Sequence, residues 1–177
     1  AVDGNYSNPI HSYLIFGRQG TWDKPLDLDS LSGSDGVRID LPAGPNAAPV
    51  RSAGDVNGDG IGDIIIGNPS NDSAYLIFGK NSAWESTLDV TTLDGTDGVR
   101  FNGENTKNLP VLTALTGVSV SGIGDINKDG FGDLIIGNRE QYFVIWGRSE
   151  GWQKEYDLFK LDESDGRWIV QDSSSYD

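Results

Sequence analysis

The sequence has 177 residues, and its 27 acidic and 13 basic side chains give a formal net charge of −14 at pH 7. This acidic excess argues against nucleic acid and anionic membrane surfaces as partners. The absence of cysteine excludes disulfides and zinc–thiolate sites, and the single histidine, His11, excludes most catalytic dyads. No apolar run approaches the ~20 residues of a membrane span, so membrane insertion is not expected.

Three sequence motifs, called phrases below, recur along the chain. The first occurs three times, as SYLIFGRQGTW, AYLIFGKNSAW and YFVIWGRSEGW, at offsets of 62 and 68 residues. The second follows each copy, as LDLDSLSGSDGVRI, LDVTTLDGTDGVRF and YDLFKLDESDGRWI. The third occurs twice, between these copies, as GDVNGDGIGDIIIG and GDINKDGFGDLIIG. Such self-similarity at a fixed period indicates a repeat architecture.

The elements predicted in chain order are short β-strands, because apolar bursts of four to six residues lie between turns rich in Gly, Asn and Asp. The first repeat supplies SYLIFG and GVRI. The second supplies APVRSAGDV, DIIIGNP, AYLIFG and GVRFNG, and the third supplies TGVSVSGIGDI, DLIIGN, YFVIWG and GRWIVQD. Four antiparallel strands in roughly 60 residues is the size of a β-propeller blade.

The sequence therefore predicts an all-β fold of ten strands, or about two and a half blades. A partial blade is expected in residues 1–44, and blades with an acidic loop are expected in residues 45–106 and 107–177. Because a propeller needs about four to eight blades to close, the chain is expected to be part of a larger propeller. Further copies, other chains or a longer polypeptide would complete it.

The phrases resemble FG-GAP repeats, which occur in the integrin α-subunit β-propeller and its bacterial relatives. Their sequences are most similar to those of bacterial secreted repeats. The residues that carry the resemblance are Phe16-Gly17, Phe78-Gly79, Trp146-Gly147 and Gly67 to Pro69, which reads Gly-Asn-Pro in place of Gly-Ala-Pro. The third copy departs further, with Gly-Asn-Arg at Gly137 to Arg139. The resemblance implies a β-propeller with a calcium loop between strands one and two of a blade.

The two acidic loops are numbered from Asp55 and Asp125 as position 1. Each has oxygen-bearing side chains at positions 1, 3, 5 and 9, and a backbone carbonyl is available at position 7. Such a set suits a hard cation, and Ca²⁺ suits it better than Mg²⁺ because the geometry is irregular. The alternatives are Asp/Gly turns without an ion and a phosphate site, which the carboxylates would repel. The candidate ligands for two Ca²⁺ sites are Asp55, Asn57, Asp59, Ile61 and Asp63, and Asp125, Asn127, Asp129, Phe131 and Asp133.

Two further patterns recur in every repeat. The frame D-x-x-x-L-x-x-x-D-G is interpreted as a turn whose leucines, Leu31, Leu93 and Leu161, pack inward. Each of three tryptophans, Trp22, Trp84 and Trp152, follows a basic residue by four positions. They are interpreted as contacts between blades, with sugar-stacking platforms as the alternative.

The function expected from these features is that of a calcium-binding, extracellular or secreted β-propeller module for adhesion or protein assembly. No catalytic residues are predicted, because the chain lacks a G-x-S-x-G or H-E-x-x-H motif. The expected partners are a protein or further copies of the chain. A structural subunit and, with less support, a glycan-binding or glycan-processing propeller remain alternatives.

Overall fold

The computed structural model describes residues 10–20, 25–44, 48–103, 115–139 and 141–170. Within these ranges the chain forms twelve β-strands and four short 3₁₀ turns, and no α-helix. The strands are β1 (Ile10–Ile15), β2 (Gly36–Leu41), β3 (Val50–Gly54), β4 (Asp63–Asn68), β5 (Ser73–Ile77), β6 (Thr87–Asp89), β7 (Gly98–Asn102), β8 (Ser119–Gly124), β9 (Asp133–Gly137), β10 (Gln141–Ile145), β11 (Glu155–Asp157) and β12 (Gly166–Val170). The 3₁₀ turns cover Leu28–Ser30, Pro69–Asn71, Val90–Thr92 and Leu158–Lys160.

The strands form three sheets that follow the three repeats. Strands β3, β4, β5 and β7 form one antiparallel meander, and β8, β9, β10 and β12 form a second. Strands β1 and β2 belong to the third sheet. They pair with each other in the same register as β5 with β7 and as β10 with β12. The predicted all-β fold of four-stranded propeller blades is confirmed.

The prediction of ten strands was wrong by two. The additional strands, β6 and β11, are three residues long and pair in parallel with β2 and β7. The N–H of Arg38 donates to the carbonyl of Ser86 at 2.9 Å, and that of Arg100 donates to Lys154 at 3.0 Å. Neither strand has an apolar burst, so no pattern in the sequence indicated them. Through them, each repeat adds a strand to the sheet of the repeat before it.

A bulge ends the first strand of each complete blade and leads the chain into its acidic loop. The register of β3 against β4 shifts between Ser52 and Gly54, and that of β8 against β9 shifts between Gly122 and Gly124. Gly54 and Gly124 have φ values of 83° and 73°, a left-handed conformation that favours glycine. The two loops therefore leave their sheets in the same direction.

The core lies between the sheets. One cluster fills the space between the second and third blades and includes Leu76, Phe101 and Phe143. A second cluster lies between the first and second blades and includes Ile39, Ile66 and Tyr75. Most of the stabilisation from apolar burial therefore depends on contact between blades, as expected of a repeat protein.

Among the described residues, no helix is long and apolar enough to cross a membrane. The predicted boundaries of the partial and complete blades, at residues 44 and 106, border or lie within ranges that the structure does not describe. These boundaries remain predictions.

Candidate metal loops

The first acidic loop is organised around Asp55, the residue at position 1. Its Oδ1 accepts hydrogen bonds from the N–H groups of Gly58 at 2.7 Å and Asp59 at 3.1 Å. Its Oδ2 accepts one from Gly60 at 2.9 Å. Gly58 and Gly60 both have positive φ, so the chain can wrap tightly around this carboxylate.

The second loop repeats this arrangement with a different sequence. Asp125 accepts the N–H groups of Asp129 at 3.1 Å and Gly130 at 2.9 Å. In each loop the position-3 side chain, Asn57 or Asn127, also accepts from the position-5 N–H at 3.0 Å. Because the hydrogen-bond patterns of the two loops match, the residues that the two sequences share, and not those that differ, determine the conformation of the loop.

The position-9 aspartates are buried and hold the loop against its own blade. Asp63 is 1% exposed and accepts hydrogen bonds at 2.8 Å from the N–H groups of Val56 and Gly79, one on each oxygen. Asp133 accepts in the same way from Ile126 at 2.8 Å and from Gly147 at 3.0 Å. The sequence assigned these residues to metal binding alone, so this structural role was missed.

Burial raises the pKa of the Asp63 carboxyl to about 6, against the lowering effect of the N–H groups of Gly79 and Val56. The carboxylates of Asp59 and Asp55 also raise this pKa, because like charges disfavour ionisation. The loop thus surrounds a buried carboxyl with other carboxylates, and both burial and these neighbours disfavour its ionised form.

The Phe-Gly and Trp-Gly pairs of the repeats have a steric explanation. A Cβ on Gly79 would lie 2.4 Å from the carbonyl oxygen of Gly62, and one on Gly147 would lie 2.3 Å from that of Gly132. These glycines follow β5 and β10, the third strand of each complete blade, which is called strand three below. Only glycine allows the end of strand three to approach the acidic loop so closely. Around the equivalent Gly17, no atom of the described residues lies within 4 Å of the Cβ position.

The two loops also contact each other across the blade interface. The N–H of Gly132 donates to the carbonyl of Asp55 at 2.8 Å, and that of Arg148 donates to Val56 at 2.9 Å. The ring of Phe131 lies so close to Gly58 that a Cβ there would be 2.4 Å from it. The two loops are therefore in direct contact at the blade interface.

The chemistry of the donor set fits a hard divalent cation, since each loop offers only oxygen ligands. Within the described ranges, no ion pair with lysine or arginine neutralises the loop carboxylates. In those ranges, however, no three acidic or histidine side chains lie close enough together to form a metal-binding group. The loop carboxylates instead accept hydrogen bonds from the N–H groups of the loop. The position-7 carbonyls of Ile61 and Phe131 remain predicted ligands.

The predicted turn in the second phrase is confirmed. The first aspartate of each frame caps a 3₁₀ turn by accepting the N–H two residues ahead, at distances of 2.9 to 3.0 Å. These aspartates are Asp27, Asp89 and Asp157. The leucines pack inward as expected: Leu31 and Leu93 are buried, and Leu161 is partly buried against the core.

The predicted packing role of the tryptophans is confirmed for two of them. The ring of Trp84 lies 6.1 Å from that of Phe16, and the ring of Trp152 lies 5.5 Å from that of Phe78 in the preceding blade. Lys80 and Arg148 lie over these indoles at 4.6 and 5.3 Å. The third, Trp22, lies outside the described residues.

Residues 52–83 match the sequence model of the FG-GAP repeat. The chain is 25% identical to human integrin alpha-6 over 149 residues, which is 81% of this chain and 10% of that protein. It is 30% identical to Gallus gallus integrin alpha-6 over 91 residues, which is 47% of this chain and 7% of that protein. It is 29% identical to Drosophila melanogaster integrin alpha-PS5 over 114 residues, which is 58% of this chain and 10% of that protein. The chain thus spans at most a tenth of the length of these relatives.

Proposed function

Because this chain is an FG-GAP repeat protein similar to integrin α-subunits, we propose that it is a calcium-stabilised segment of an extracellular β-propeller that binds protein partners. The observation that carries this proposal is the matched pair of acidic loops. Both have the same hydrogen-bond wiring around position 1 and the same buried aspartate at position 9.

In this proposal each loop holds one Ca²⁺. The ligands are the side chains at positions 1, 3, 5 and 9 and the carbonyl at position 7, which are the candidate residues given above. Bound calcium would supply positive charge and a cross-link between the ends of the loop. The chain's own contribution is to hold the position-1 and position-9 aspartates through backbone N–H groups, at the blade interface where the two loops meet.

The proposed partners are proteins, because the similar proteins are integrin α-subunits and the flanks of the blades present apolar surface. Trp168 and Ile169 on the last strand are 58% and 51% exposed. A structural subunit of an extracellular assembly remains a second form of the same proposal. The glycan alternative has no support from Trp84 and Trp152, since each indole packs between a phenylalanine and a cation.

We propose that the module is not catalytic. The densest acidic groups are engaged with the loop backbone. The single histidine is engaged as well: His11 lies 2.7 Å from Asp40, which also accepts from Arg38 at 2.8 Å, across the β1–β2 pair. This cluster joins two strands and has the contacts of a structural group.

The test is calcium titration calorimetry on the chain after removal of bound metal. Two sites per chain are expected, with one lost in Asp63→Ala and the other lost in Asp133→Ala. Asp35→Ala, in the turn after strand three, is the matched control and should leave two sites. Loss of a site in the control, or no calcium binding by the unmodified chain, would contradict the assignment.

A further inference from the structure

The two acidic loops meet between the second and third blades through residues that belong to the candidate sites themselves. The N–H of Gly132 donates to the carbonyl of Asp55, the position-1 residue of the first loop, at 2.8 Å. The Cβ position of Gly132 lies 3.1 Å from the same oxygen, so the two backbones are in close contact there. The next residue, Val56, is fully buried, and its carbonyl accepts the N–H of Arg148 at 2.9 Å. The third blade thus holds the first loop at positions 1 and 2.

The ring of Phe131 makes a second connection between the loops. It lies against Gly58, since a Cβ on Gly58 would be 2.4 Å from the ring. Gly58 has a φ of 74°, and its N–H donates to Oδ1 of Asp55 at 2.7 Å. The same position of the first loop carries Ile61, whose Cγ2 lies 2.6 Å from the Cβ position of Gly79 in its own blade. The aromatic ring therefore extends from the second loop to the glycine that holds the position-1 aspartate of the first.

Phe131 is also bound to a candidate ligand of its own loop. Its N–H donates to Oδ1 of Asp129, the position-5 residue, at 3.0 Å. Its carbonyl is the position-7 candidate ligand. A short series of contacts therefore runs from Asp129 through Phe131 and Gly58 to Asp55.

We propose that Phe131 couples the two calcium sites, so that filling the second loop raises the affinity of the first. This inference rests on the proposed function and deepens it, because it names how each site regulates the other. Once residues 125–133 close around a cation, Phe131 and Gly132 are held in place, and they in turn hold Gly58 and Asp55. Because glycine loses more conformational freedom on ordering than any other residue, prior ordering of Gly58 removes part of the entropic cost of filling the first loop. By linkage, the first site raises the affinity of the second by the same factor.

Repulsion between two bound cations acts in the opposite direction. Salt screens this repulsion, and the Debye length is about 8 Å at an ionic strength of about 0.15 M. Salt does not weaken the apolar contact of Phe131 with Gly58. At this ionic strength, the coupling through contact is therefore expected to exceed the repulsion.

The experiment is a calcium titration of the whole chain, freed of metal, followed by NMR at this ionic strength. The amide of Gly60 reports the first loop and that of Gly130 the second, since each donates to the position-1 aspartate of its loop. Asp129→Ala, which empties the second loop, should raise the calcium concentration at the midpoint of the Gly60 shift about tenfold. Phe131→Ala keeps the position-7 carbonyl and should raise this midpoint by a similar factor. In the Phe131→Ala background, Asp129→Ala should change it less than about twofold, because the connection is already lost.

Two further variants serve as controls. Phe131→Leu keeps an apolar side chain over Gly58 and should restore most of the affinity. Ile126→Ala removes an apolar side chain of the same loop that is 52% exposed, and it should leave the Gly60 midpoint unchanged.

An unchanged or lower Gly60 midpoint in Asp129→Ala would overturn the coupling and leave the proposed calcium sites intact. A Phe131→Ala chain with a lowered melting temperature and an unchanged Gly60 midpoint would reduce the ring to a packing role and also overturn the coupling. If neither amide shifts with calcium in the unmodified chain, the proposed function fails, and the coupling fails with it.

Discussion

The N–H of Gly79 donates to the buried carboxylate of Asp63 across 2.8 Å, and this bond joins the end of strand three to the acidic loop. The bond joins two halves of the repeat that are separated by 16 positions in the sequence. The Phe-Gly pair and the acidic loop are therefore one structural unit. At the equivalent Phe16 and Gly17, the part of the chain that the structure describes places no acidic loop against the glycine.

Removal of calcium is expected to lower the melting temperature. Each site would contribute about 2.7 kcal/mol to folding at a hundredfold excess of calcium over Kd. Two sites then correspond to a shift on the order of 10 °C for a chain of this size. Differential scanning calorimetry with and without chelator checks this, and magnesium should restore little of the loss. An unchanged melting temperature in chelator would refute calcium stabilisation.

Asp63→Asn is expected to destabilise the chain even when no calcium is present. The amide keeps one acceptor, but its NH₂ group faces a backbone N–H where the carboxylate accepted a hydrogen bond. The expected cost is about 1–3 kcal/mol in the free energy of unfolding. Urea unfolding in excess chelator measures it, with Asp35→Asn, in a turn outside the acidic loops, as the control. Equal stability of wild type and Asp63→Asn in chelator would assign the residue to metal binding alone.

Gly79→Ala and Gly147→Ala are expected to destabilise their blades by about 1–3 kcal/mol each, because the added methyl groups collide with the loop backbone. Gly17→Ala, at the equivalent position of the first blade, should leave the free energy of unfolding unchanged within about 0.5 kcal/mol. Urea unfolding of the three variants provides the comparison. A similar loss in all three would mean that glycine is required for the strand and not for the loop.

Trp152→Ala is expected to cost about 3 kcal/mol in the free energy of unfolding, since its indole packs against Phe78 and Tyr156 and binds the carbonyl of Arg148 at 2.8 Å. The control is Trp168→Ala. Because Trp168 is 58% exposed, this substitution should change the free energy of unfolding by no more than about 0.5 kcal/mol. Thermal and urea unfolding measure both. A neutral Trp152→Ala would reopen the possibility that this indole serves a ligand.

The stability of the first blade is expected to fall in acid through Asp40. Burial raises the pKa of this carboxyl, but hydrogen bonds from Arg38 and His11 outweigh burial and hold the pKa below its ordinary value. The folded state therefore favours the ionised form, and its contribution is present above a pH of about 4 and lost as the pH falls further. Unfolding of Asp40→Asn should depend less on pH between about 5 and 3 than that of wild type. Identical slopes would contradict this.

The four-strand order of the blades was predictable because it rests on local patterns. Bursts such as Ile64 to Ile66, which is β-branched, and Tyr75 to Ile77, which is aromatic and aliphatic, have the apolar character of strands that face a core, and they recur in a fixed order. The turn that follows was predictable for the same reason, since Asp89 caps it and Leu93 packs beneath it, both within a few residues.

The parallel strands β6 and β11 were not predictable, because their partners lie about 50 residues away and their residues carry no apolar pattern. The second role of Asp63 was missed for a related reason. Spacing within the loop shows which oxygens can converge, but it does not show that the N–H of Gly79 reaches one of them. Calcium binding itself remains a prediction that the loop chemistry supports.

The parallel pairing of β6 with β2 and of β11 with β7 gives the repeats a polarity. The first two sheets each receive their outermost strand from the repeat that follows in the chain, so each of them depends at that edge on the next repeat. Damage to one repeat would loosen the outer edge of its predecessor and spare that of its successor. Whole repeats can be gained or lost without designing a new junction, provided that each exchanged unit carries the strand for the unit before it.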